Sequence, residues 1–208
     1  MSAKFISIHP DNPQDRFIKQ AVTIIQDGGV AVIPTDSAYA LCCNVGDKAA
    51  MERIVAIRKI TKNHNFTLIC DSLSELSTYA KIGNNEFRLI KQNTPGAYTF
   101  ILPATKEVPR RLMNEKRKTI GIRIPNCEIT KAIMASLHEP LMSCSLIMPE
   151  SDEAEYDPVE INDKIGNLVD LIVDGGVLTN EPTTVIRFED GEPIIRRVGG
   201  GDPTPFEN

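Results

Sequence analysis

Tryptophan is absent, and aromatic residues make up only 5% of the chain. Any core must therefore be built mainly from aliphatic side chains. No apolar run approaches the ~18 residues that a membrane-crossing helix needs. The first twenty residues mix polar and apolar side chains, with Asp11 and Asp15 among them, unlike a signal peptide. A cytoplasmic protein is expected. The five cysteines (42, 43, 70, 127 and 144) are odd in number and lack the CxxC spacing of zinc or redox sites. All five are predicted to be reduced and structural. The three histidines (9, 64 and 138) are scattered, so no His/Cys metal centre is expected. There is no Walker loop, GxGxxG, HExxH or GxSxG motif. Repeats, low-complexity tracts and obvious linkers are also missing.

What is present suits one soluble globular domain. The 208 residues are 41% hydrophobic and 25% charged, and a chain of this size can bury a large core without metal or disulfide staples. The net charge of −5 argues against a general nucleic-acid binder, but the charge is unevenly spread. From Lys106 to Arg123 there are seven basic residues against Glu107 and Glu115; from Glu150 to Asp163 there are seven acidic residues and no basic one. Two readings fit: two solvated loops of opposite sign, or a local basic face on an acidic protein.

Helical and strand-like segments alternate. Asn12-Pro13 predicts the start of a helix over 14–27, with apolar residues at 17, 18, 21, 22, 24 and 25 on one face and Gly28-Gly29 at its end. Val30 to Ile33 reads as a buried strand. Asp47 predicts a cap for a helix to about Arg58. Further helices are expected over 73–79, over 86–93, and from an Asn126 cap to about Leu137. Strands are expected over 67–70, 98–102, 119–124, 141–147 and 169–173, followed by a hairpin of 183–188 with 193–198. This order predicts a single layered α/β domain with a mixed sheet over 1–208. The Gly- and Pro-rich end, 199–208, is predicted to be a loose tail.

Four segments can carry chemistry. Pro34-Thr35-Asp36-Ser37 follows a buried strand, where backbone amides and hydroxyls often hold an anion or a sugar. The same residues also cap turns by bonding their own backbone. Gly121-Ile122-Arg123-Ile124-Pro125 sets Arg123 on the strand face opposite Ile122 and Ile124. It either clamps a carboxylate or phosphate or lies on an exposed edge. Ser143 and Ser145 share one face of their strand, ready to bond one ligand or simply the sheet. Pro182-Thr183-Thr184-Val185 opens the hairpin that Arg196-Arg197 closes.

Taken in order, these segments resemble a known family. Pro34 to Leu41 is similar to PTDTxYGL, and Thr94 to Leu102 to PGPxTxIL. Gly121 to Pro125 is similar to GxRxP, Pro182 to Ile186 to PSTVxD, and Ile195-Arg196-Arg197 to ILR. The chain is identified by them as a member of the YrdC-like family, the threonylcarbamoyl-AMP synthase superfamily. His9 to Pro13, Asn65 to Leu68 and Glu115 to Gly121 resemble its YciO branch. The resemblance implies a twisted mixed β-sheet flanked by helices, with a concave, positively charged cavity. It implies ATP, L-threonine and bicarbonate as substrates, with Mg²⁺ carried by the phosphates, and an adenylyl transfer that feeds a tRNA modification. Thr35, Tyr39, Arg123, Ser143 and Thr183 would hold the amino acid or carbamate. Arg58, Lys62, Thr119, Ser145 and Arg197 would face the nucleotide. Binding of tRNA or double-stranded RNA is also implied, through Arg110, Arg111, Lys116, Arg117 and Lys118. Two family signatures are incomplete. Where synthases carry Lys-x-Arg, this chain has Arg58-Lys59-Ile60; where they carry Ser-x-Asn, it has Ser145-Leu146-Ile147. The expected activity is accordingly weakened or redirected, and the alternative is a non-catalytic RNA-binding protein.

Overall fold

The structure, a computed structural model, describes residues 1–61 and 64–207. Lys62, expected at the nucleotide, lies outside the described residues. Ten strands form one sheet: β1 (Lys4–Ser7), β2 (Ala31–Ile33), β3 (Ala40–Asn44), β4 (Thr67–Ile69), β5 (Tyr98–Pro103), β6 (Thr119–Arg123), β7 (Leu141–Ser145), β8 (Leu171–Asp174), β9 (Thr184–Glu189) and β10 (Glu192–Arg197). The helices are α1 (Asp15–Gln26), α2 (Lys48–Arg58), α3 (Leu73–Tyr79), α4 (Asn84–Asn93), α5 (Glu128–Leu137) and α6 (Pro158–Ile165). The spatial order is β1-β8-β2-β3-β7-β4-β6-β5-β9-β10. Pairs β1/β8, β2/β8, β4/β6 and β5/β9 are parallel, and the other pairs are antiparallel. This is the mixed sheet expected from the alternation. No helix among the described residues is long and apolar enough to cross a membrane.

The helices form where the pattern dictates. Ile18, Ala21, Val22 and Ile25 recur at helical spacing and bury one face of α1. Gly28, at φ 90°, adopts the left-handed turn that a side chain resists. The Asp47 carboxylate accepts from the Ala50 amide at 2.9 Å and caps α2. Two expected caps differ. α1 starts after Gln14 with no side-chain cap bond, and α5 starts after Cys127, while the Asn126 amide is spent on Asp36.

Three elements fall outside the sequence reading. β1 pairs in parallel with β8 at the sheet edge, and β3 continues the 34–41 segment into the sheet centre. The acidic stretch is not simply a solvated loop. Asp157 caps α6 by accepting from the Val159 amide, and the Glu155 carboxylate is buried against Lys164 at 2.8 Å. The tail is also corrected. The Gly199 amide donates to Thr184 Oγ1, the Gly200 amide to the Pro182 carbonyl, and the Tyr98 hydroxyl to the Asp202 carbonyl. Phe206, 2% exposed, packs on Tyr98 and Phe100 at ring separations of 5.4 and 5.9 Å. An aromatic anchor outweighs the looseness that Gly and Pro suggest.

The two sheet faces are covered unequally. One face carries Val32, Leu41, Leu68, Phe100, Ile122 and Met142 into the larger core, with Ile54 of α2, Leu76 of α3, Ile90 of α4 and Ile161 of α6. On the other face α1 and α5 cover an apolar part over β1, β8, β2 and β3 that reaches Leu141 of β7 and Ile69 of β4, with Ala31, Ile33, Cys42 and Leu171 at its centre. Beyond that part the face turns polar.

Candidate functional site

Strand register explains the polar half-face. Side chains alternate along a strand, so Cα partners share a face. Ser143 pairs with Thr67, Thr67 with Gly121, Gly121 with Ile101, and Ile101 with Arg187. Thr99 pairs with Val185, and Val185 with Arg197. These rows floor a cavity of about 220 Å³ walled by Arg58, Arg123, Arg197, Thr67, Thr99, Ser143, Ser145 and Thr183, with Ile101 and Val185 as its aliphatic part. Among the described residues no Asp or Glu lines it. Three guanidinium groups and five hydroxyls face one space, an arrangement suited to an anionic ligand rich in acceptors.

Arg123, on β6, is 6% exposed. Its Nη2 donates to Asp36 Oδ1 at 2.7 Å, and the other oxygen of Asp36 accepts from the Asn126 amide at 2.7 Å. Burial lowers the pKa of Arg123 and Asp36 raises it, with the lowering larger; a guanidinium nonetheless stays charged. Its buried Nε has no partner. Of the two readings offered for the 34–37 segment, the structure fits the capped turn: Thr35 Oγ1 donates to the Ala38 carbonyl at 2.6 Å and accepts from the Ser37 amide at 3.1 Å. That turn aims Asp36 at Arg123.

Opposite, Arg58 ends α2 and donates through Nε to the Ile147 carbonyl at 3.0 Å. Arg197 donates to the Thr183 carbonyl at 3.0 Å and to its Oγ1 at 3.2 Å. Thr183 Oγ1 also lies 2.8 Å from Thr99 Oγ1. The Ser143 hydroxyl donates to the Thr67 carbonyl at 3.1 Å. Burial, then the charge of Arg58, pushes the His64 imidazole down to about 4, so it is neutral at pH 7. Burial raises the Cys144 thiol against the lowering effect of Arg58, which disfavours a thiolate nucleophile there.

The expected site residues divide. Arg58, Arg123, Ser143, Ser145, Thr183 and Arg197 meet at one cavity. Thr35 lies behind Arg123 in the turn. Tyr39 is buried in the larger core, where its hydroxyl donates to the Gly176 carbonyl at 2.7 Å and accepts from the Gly175 amide at 3.0 Å. Thr119 shares the Gly121 face of β6 but is not a wall. Arg110, Arg111, Lys116, Arg117 and Lys118 are all exposed. Of these, Arg110 and Arg111 rim a second groove, with Met51, Val55, Ile60, Phe66 and Met113 inside it and His64 shared with the cavity. Ile60 thus belongs to an apolar groove, while Ile147 is on the cavity wall. Thr67, Thr99 and His64 are walls that the sequence reading passed over. Thr67 and Thr99 were findable as the polar alternates of otherwise apolar strands.

A family model described as telomere recombination, covering Sua5, YciO and YrdC proteins, matches residues 23–199. The chain belongs to the Sua5/YciO/YrdC family. It is 56% identical over 204 residues to the YciO protein of Escherichia coli K12, covering 98% of this chain and 99% of that one. The crystal structure of E. coli YciO superposes with a TM-score of 0.95 over 99% of this chain and 100% of that one. A threonylcarbamoyl-AMP synthase of Vibrio vulnificus is 23% identical over 184 residues, covering 86% of this chain and 97% of that one. The fold also matches Pyrococcus abyssi Sua5 complexed with L-threonine, with a TM-score of 0.86 at 23% identity, over 95% of this chain and 58% of that one.

Proposed function

We propose that the polar half-face binds a nucleoside triphosphate together with L-threonine and supports an adenylyl transfer of the threonylcarbamoyl-AMP synthase type, in the cytoplasm and at reduced or redirected efficiency. The observation that carries this reading is the convergence of Arg58, Arg123 and Arg197 with five hydroxyls on a cavity that no carboxylate lines among the described residues. Arg58, Arg197 and Ser145 would meet the phosphates. Arg123, Ser143 and Thr183 would hold the amino-acid carboxylate or carbamate.

In the reaction, the threonine amine and bicarbonate give a carbamate with loss of water. A carbamate oxygen attacks the α-phosphorus, and diphosphate leaves. The protein's part is to position the two substrates and neutralise phosphate charge; no protein nucleophile is required. In this reading Mg²⁺ arrives on the phosphates, as the family resemblance implies. Ile60 and Ile147 supply none of the bonds that the synthase Arg and Asn would make. One lost preorganised donor can slow a reaction ~100-fold or more.

The test is diphosphate release with ATP, Mg²⁺, L-threonine and bicarbonate. Slow release that requires threonine is expected, and Arg123→Met should abolish it. No release above the protein-free rate, with and without tRNA, would sink the catalytic reading. A second reading keeps the fold but not the reaction: a double-stranded RNA or tRNA binder using the exposed Arg110, Arg111, Lys116, Arg117 and Lys118, the first two on the rim of the neighbouring groove.

A further inference from the structure

Arg187 is used by nothing described so far. It is 9% exposed and sits inside β9, where an unpaired charge is costly. Its Nη2 pairs with the Glu189 carboxylate, yet Nε and Nη1 are buried with no partner. Its neighbours across the sheet, Ile101 and Ile194, supply no acceptor side chain.

Its place in the sheet gives these orphan donors a meaning. Ser143, Thr67, Gly121, Ile101 and Arg187 form one lateral row over five adjacent strands. The first four are walls or floor of the cavity, and Arg187 is next in the row, just past the lining, with Ile194 of β10 beyond it. Val185, two residues before it on the same face, is also a wall. Strand spacing and rise put the Arg187 Cα about 12 Å from that of Arg123. Gly121 leaves the row low between them: a Cβ there would stand 2.8 Å from Thr67 Oγ1.

We infer that Arg187 is an anion subsite at the β9 end of the cavity, and that it takes the terminal phosphates of a polyphosphate ligand lying along the Gly121–Ile101 floor. The inference rests on the reading of the cavity as a nucleotide site, and it adds which residue grips the end of the chain. A compact anion held at Arg123 does not reach it; a nucleoside triphosphate does.

The test titrates ATP, AMP and inorganic triphosphate into the wild-type chain, Arg187→Gln and Arg197→Met, and measures the melting temperature of unliganded Arg187→Met. A charge-assisted bond to phosphate is worth enough to weaken ATP and triphosphate about tenfold or more in Arg187→Gln, while AMP binding should stay unchanged. Unliganded Arg187→Met should melt no lower than wild type, because it removes orphaned donors from a buried place. Equal ATP affinity in Arg187→Gln, or equal losses for ATP and AMP, would overturn the inference. So would a melting temperature several degrees lower in Arg187→Met with ATP binding intact, which is the mark of a structural arginine. If triphosphate binds through Arg187 while neither nucleotide binds, the subsite stands and the nucleotide reading falls. If ATP binding depends on Arg197 but not on Arg187, the reverse holds. If the wild type binds none of the three probes, both fall.

Discussion

Arg123 and Asp36 are separated by 87 positions in the chain, yet they form the ion pair on which the cavity is built. The strand pattern around Arg123 puts it opposite Ile122 and Ile124, so its face was legible in the sequence. Its partner was not, because sequence periodicity carries no information across such a separation. The pair is buried, with side-chain exposures of 7% and 11%. Asp36→Asn keeps the shape but leaves the guanidinium without a counter-charge, which should lower stability by about 3–5 kcal/mol in urea unfolding. A change within ~0.5 kcal/mol would mean that the pair is not what holds Arg123 in place. Tyr39 shows the opposite failure. Its motif position suggested a ligand contact, but the ring, just before β3, is buried in the larger core, and its hydroxyl fastens the Gly175-Gly176 turn.

At the scale of elements, the amphipathic helices were the most legible. α2, with its Asp47 cap, and α3 occupy the expected residues, and α1 is one residue shorter at each end. The missed elements share a cause. β1 is a short edge strand with a mixed pattern, β3 is buried on both faces and so shows no alternation, and α6 begins inside a run of acids that reads as loop. The 199–207 segment follows a related logic: Gly and Pro predict a loose backbone, while one buried side chain, Phe206, decides its position. Phe206→Ala should cost about 3–5 kcal/mol in the urea midpoint, as for other buried Phe truncations. An unchanged midpoint would restore the loose tail.

At the scale of the molecule, half of one sheet face is sealed by α1 and α5 and half is left open and cationic, inside a chain of net charge −5. The fold and its family were readable from the ordered motifs, and of the nine expected substrate and nucleotide residues that the structure describes, six meet at one cavity. What the sequence did not supply was the row structure of the open face, because register between strands is fixed by tertiary pairing. Thr67 and Thr99 stand out as polar alternates, but that they share a face with Arg187 emerges only from the sheet. The central claim is that this open face is a nucleotide site. Calorimetric titration of ATP with Mg²⁺ into the wild-type chain, Arg58→Met and Arg197→Met tests it most directly. One ATP per chain is expected, with each variant binding about tenfold or more weakly. Absence of binding, or wild-type affinity in both variants, would contradict it.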